Sequence, residues 1–129
     1  MAATGDQGRG AGGTLNAAIA RGVVRSHAKY RGKGPGRAHS FFRGNVVVVV
    51  LEDAATASEA SLVTAGGSDS VLATRQQLGH IMRAMMTAAV ENATGCHVEA
   101  AMSAHHLAPD VTIELFVLDQ PLPCDDEPQ

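Results

Sequence analysis

Tryptophan is absent from this chain of 129 residues, and aromatic residues make up only 3% of it. The core cannot rest on stacked rings and must come from Val, Leu, Ile, Met and Ala. Few rings also means little stacking platform for single-stranded nucleic acid; only Tyr30, Phe41 and Phe42 are available. Cysteine is limited to Cys96 and Cys124, too few for a disulfide framework, so a reduced, cytoplasmic chain is expected. The apolar run Val46–Leu51 is far short of a membrane span. The first ten residues carry no apolar core of a secretory signal. The length fits one domain with a modest core.

Acid is scarce where base is concentrated. Residues 1–43 hold eight of the ten cations against the single acid Asp6, a net +7. Residues 44–129 hold Arg75 and Arg83 against twelve acids, a net −10. Such halves suit an anionic partner at the basic end, self-association, or a basic face folded against acidic ones.

Catalytic and metal motifs are missing too. No Cys-x-x-Cys or His-x-x-x-His spacing occurs, and His105-His106 are adjacent in a turn, so no metal site is expected. Cys96 and His97 are strand neighbours and would point to opposite faces, which prevents a nucleophile pair. There is no nucleophile-elbow serine. The glycine-rich segment Gly32-Lys33-Gly34-Pro35-Gly36-Arg37 lacks the P-loop spacing and follows a helix rather than a strand. No cofactor is expected, and no catalytic set is assigned.

What is present reads as alternating helices and hairpins. Residues 1–12 form a disordered tail, residues 13–119 the domain, and residues 120–129 an acidic, frayed tail. The first helix starts near Gly13-Thr14 with Thr14 as cap, and Leu15, Ile19, Val23 and Tyr30 form its buried stripe beside Gly22 and Ser26. Arg21, Arg25 and Lys29 make a basic stripe on another face. Glycines end the helix. Ala38–Phe42 and Val46–Leu51 form a hairpin across Arg43-Gly44-Asn45. Val46–Leu51 shows no polar alternation, so it should be a central strand covered on both faces.

Thr56-Ala57-Ser58-Glu59 has capping-box spacing and opens a short helix over 57–65. Ser68 or Asp69 caps a long helix to Ala93, with Gly95 as left-handed stop. Its apolar arc is Val71, Leu78, Ile81, Met82, Met85, Met86, Ala89 and Val90, with Arg75 pointing into it. A guanidinium there needs a carboxylate, and Glu52, Glu59 and Glu114 are the candidates for a buried ion-pair network. Cys96–Ala104 alternates with Val98, Ala100 and Met102 on one face, and pairs with Val111–Leu118 in a second hairpin. The expected fold is α+β, in the order α-β-β-α-α-β-β. It has a four-stranded, mainly antiparallel sheet of two β-hairpins with helices on one face.

Several of these landmarks together resemble the MpsC-like family, associated with the Na+-translocating membrane-potential-generating system and long a domain of unknown function. They are His27-Ala28-Lys29-Tyr30, Arg31-Gly32-Lys33-Gly34-Pro35, Val47–Glu52, Thr56 with Glu59, Leu62-Val63 and Arg75. Val90-Glu91, Thr94-Gly95, Pro109-Asp110-Val111 and Glu114–Leu118 continue the match over about residues 14–119. The chain departs at Ala55, Gly36 and Cys96, where the pattern carries Leu, a Thr-like residue and a basic residue. The resemblance implies an accessory or regulatory partner of a membrane system handling cations or bicarbonate. It supplies no catalytic residues to carry over.

The reading is therefore a non-enzymatic soluble accessory domain, forming a homodimer, cytoplasmic and peripheral to the membrane through a partner. Its anion or partner site is placed at Arg31, Gly32, Lys33, Gly34, Pro35 and Arg37, where glycines permit close backbone approach. Two alternatives remain open: nucleic-acid binding through the basic helix and loop, and an enzyme for a small anion centred on Arg75.

Overall fold

Two β-hairpins and three helices make up the computed structural model, which describes residues 10–123. The expectations for residues 1–9, for Cys124 and for the end of the acidic tail lie outside these. The order is α1 (Gly10–Arg31), β1 (Arg37–Arg43), β2 (Val46–Glu52), α2 (Ala57–Thr64), α3 (Ser68–Thr94), β3 (Val98–His106) and β4 (Val111–Leu118). Helix α1 begins three residues before Gly13, so Thr14 lies inside it rather than capping it.

Local chemistry sets the boundaries. Gly32 at φ 80° closes α1, its N–H donating to Ala28 O at 3.0 Å. The β1–β2 turn uses Gly44 at φ 61°, a conformation that costs a β-carbon-free residue little. The Thr56–Glu59 capping box is formed in full. Gly67, not Ser68 or Asp69, is the N-cap of α3, with no side-chain cap bond; Gly95 ends that helix at φ 74° in the left-handed region.

All strand pairings are antiparallel and the sheet order is β1-β2-β4-β3. The two hairpins thus lie side by side, with β2 and β4 central. One face carries Ala38 and Phe42, then Val47, Val49 and Leu51, then Phe116 and Leu118, then Val98 and Ala101. Helices α1 and α3 cover this face, α1 over β1 and β2 and α3 over β3, and α2 packs against α3. The core is aliphatic with Met82, Met86 and the lone ring of Phe116 at its centre. Leu122, read from sequence as tail, is 7% exposed and joins it; its N–H bonds Gly44 O at 2.9 Å.

Three expectations need correction. A β-bulge lies between Val98 and Ala100, so the alternation of β3 changes side there. Ala101 rather than Met102 faces the core, and Met102 is 51% exposed. On α3 the buried line is Val71, Arg75, Gly79, Met82, Met86 and Val90; Ile81, 100° before Met82, is 56% exposed. Tyr30 falls outside the buried stripe of α1 at 39% exposed, and Lys29 Nζ sits 5.5 Å from its ring centroid.

Strand β2 alternates buried and half-buried residues. Val47, Val49 and Leu51 face the helices. Val46, Val48 and Val50 face away, and no helix of the described residues packs on them. The cover expected on both faces is supplied on one.

Candidate functional site

Arg75 is 2% exposed beneath α2. Its Nε and Nη2 donate to Glu59 Oε2 and Oε1 at 3.3 and 3.2 Å, and Nη1 donates to Asp110 Oδ1 at 3.2 Å. Arg31, also buried, donates from Nη2 to Glu59 Oε1. Glu59 closes the capping box as well, accepting from the Thr56 N–H at 3.0 Å. Asp110 Oδ2 accepts from the Ala55 N–H at 2.7 Å. Two guanidiniums and two carboxylates therefore balance, and they tie together the end of α1, the β2–α2 loop, α2, α3 and the β3–β4 turn.

Burial alone would push the Glu59 carboxyl up. The Arg75 and Thr56 hydrogen bonds and the charges of Arg31 and Arg75 outweigh it, holding the carboxyl below its ordinary value. Burial draws Arg31 down, against the attraction of Glu59. A guanidinium stays charged regardless.

The three carboxylates named from sequence around Arg75 divide three ways. Glu59 is a direct partner. Glu52 pairs with Arg37 instead, at 3.1 Å and near the surface. Glu114 belongs to a second network. Its Oε2 accepts from His27 Nε2 at 2.9 Å, and its Oε1 accepts from the Ser103 hydroxyl. His27 and Glu114 are both almost fully buried. The tautomer of His27 follows from this partner, leaving Nδ1 buried without a hydrogen-bond partner. Here the carboxylate stands between serine and histidine, an order unlike the serine–histidine–carboxylate triad, in which the histidine lies in the middle. Next to it, His105 Nδ1 meets Thr112 Oγ1 at 3.0 Å, and burial holds the imidazole below its ordinary value.

Asp110 and His27 stand in the sequence reading as family landmarks and not as members of a buried network. Asp110 sat in a stretch that looked like a turn, where Asp is ordinary. His27 falls one residue after Ser26 on the buried side of α1, a position the helical spacing of Ile19 and Val23 could have flagged.

The glycine loop is bound into the fold. Arg31 is engaged as above. Lys33 Nζ donates to Ala55 O at 2.8 Å, and the Gly36 N–H bonds both Glu52 O and Asp53 O. Arg37 stays largely exposed beside Glu52. The basic stripe Arg21, Arg25 and Lys29 lies open along α1.

A half-open cavity of about 390 Å³ lies between α3 and β3, lined by Gln76, Gly79, His80, Arg83, Ser103 and His105. Arg83 Nε is buried there with no hydrogen-bond partner. No group of three or more metal-ligating side chains occurs among the described residues, nor is any helix among them long and apolar enough to cross a membrane.

The model of the MpsC family, described as Na+-translocating membrane potential-generating system (MpsC), matches residues 11–120. The chain belongs to the MpsC family. The match takes in both buried networks and the glycine loop, and it ties this MpsC chain to the Na+-translocating system. No curated protein and no solved structure matches the chain significantly.

Proposed function

We propose that this MpsC chain is a non-enzymatic accessory component of the Na+-translocating system, working as a homodimer held at the membrane by a protein partner. The observation that carries this is the family match over residues 11–120 in a chain whose described helices are not membrane spans. The engagement of Arg75, Arg31 and Glu59 with one another supports a structural role for them rather than substrate chemistry.

The docking surface is the basic corner. Lys33 and Arg37 on the loop, with Gly32, Gly34 and Pro35 shaping it, continue into Arg21, Arg25 and Lys29 on α1. This strip presents positive charge on a chain with net charge −3, and it suits an acidic segment of a membrane component. Arg31 positions the corner from beneath.

The test is co-purification from the source cells under mild detergent. The tagged chain should retain the membrane components of the system, and Arg21→Glu with Arg25→Glu should release them at moderate salt. Repeated failure of the wild-type chain to retain them would remove the reading. Salt-sensitive retention on a nucleic-acid column without those components would favour nucleic-acid binding instead.

A further inference from the structure

The sheet face turned away from the helices is apolar along β2 and β4 from Val46 to Val50 and from Ile113 to Val117, and on β1 Phe41 stands between His39 and Arg43. In register, its central row is Phe41, Val48, Leu115 and Met102. On one side lies His39, Val50, Ile113 and Ala104, and on the other Arg43, Val46, Val117 and Ala100. Phe41 and Met102, at opposite edges, are 50% and 51% exposed. The plan area of four strands and seven residues is about 400 Å², from strand spacings of ~4.8 Å and rises of ~3.3 Å. That is as large as the largest single patch on an ordinary monomer. Its accessible area follows the relief of the side chains. A specific interface buries roughly 800 Å² per partner, so the contact would extend past this face onto its rim.

Charge at the rim selects the occupant. Arg43, on the β1 edge, has no ion-pair partner among the described residues, and neither has Glu99 on the β3 edge. Glu99 sits at the bulge, beside inward-facing Val98 and level with Ala100, so both unpaired charges lie at opposite ends of one row. A two-fold axis parallel to the strands places β1 of one copy over β3 of the other at the same level. Phe41 then meets Met102, a favourable sulfur–aromatic contact, and Arg43 meets Glu99, each twice. An axis across the strands would instead lay the β1 edges together, setting Arg37, His39 and Arg43 against themselves.

We infer that this open face is the interface of a face-to-face homodimer, with β1 over β3 of the second copy and reciprocal Arg43–Glu99 pairs. It deepens the dimer named above, and it explains why β2 is apolar on both sides: the second copy covers Val46, Val48 and Val50.

The test is sedimentation equilibrium of the purified full chain, free of membrane components, so its outcome is separate from the co-purification result. Wild type should be dimeric. Phe41→Glu and Met102→Glu, at half-exposed outward positions, should be monomeric with unchanged far-UV circular dichroism. Arg43→Glu and Glu99→Arg should each weaken the dimer roughly tenfold, through two lost rim pairs and their replacement by repulsion. The double variant should return close to wild type. A monomeric wild type overturns the proposal. So does a dimer indifferent to Phe41→Glu and Met102→Glu, or a double variant no better than its parents.

Discussion

Arg75 is the residue whose removal should be felt most. Truncation leaves Glu59 and Asp110 facing one another, with only Arg31 still on Glu59. Breaking a buried pair from one side costs about 3–5 kcal/mol. We predict a loss of that order for Arg75→Ala in urea unfolding, with an unchanged slope. A midpoint equal to wild type would mean that the network contributes nothing. Acid should act on the same residues. Glu59 is held below its ordinary value, so its contribution is complete above about pH 4.3 and is lost as pH falls through its lower folded value. His105 is held low by burial, so stability should already decline as pH falls below about 6.5. Stability measured from pH 7 to 3 should fall in two stages, with Glu59→Gln flattening the lower one. The partner of Arg75 was half legible in sequence. Glu59 announced itself through its capping-box spacing, but Asp110 lies in the β3–β4 turn, where no local signal ties it to Arg75.

Among the elements, Gly22 of α1 and Gly79 of α3 should respond in opposite directions. A β-carbon on Gly22 of α1 would stand 2.5 Å from Ala89 Cβ of α3, so the helices approach there closer than any other residue allows. A β-carbon on Gly79 of α3 would meet nothing within 4 Å. Gly79→Ala should stabilise the protein by about 0.5–1 kcal/mol through helix propensity alone. Gly22→Ala should destabilise it by about 1–3 kcal/mol through overpacking. Thermal melts of the two variants check this; shifts of the same sign would contradict the packing. Helices and hairpins themselves were readable, because their caps and turns are local signals. The bulge in β3 was not, since one unpaired residue leaves the apolar count of the strand unchanged while moving Met102 outward and Ala101 inward. Ile81 misled for a related reason: the apolar arc of α3 is wider than the line that touches the core.

For the whole molecule, the division into a +7 segment and a −10 remainder is only partly consumed by internal pairing. Arg31 and Arg37 are matched to Glu59 and Glu52, and Lys33 to a carbonyl, whereas the α1 stripe remains outward. The proposed dimer uses the apolar sheet face, and the proposed partner uses the basic corner. The second apolar side of β2 was visible in the run Val46–Leu51, but the run does not say that the helices cover one face alone. The central claim is the proposed one, that this MpsC chain supports membrane potential as an accessory component. The most direct measurement is the Na+-dependent membrane potential of source cells lacking this chain, followed by a potential-sensitive dye. The account predicts a reduced potential that wild type restores and that Arg21→Glu with Arg25→Glu does not. A potential identical in cells with and without the chain would contradict it.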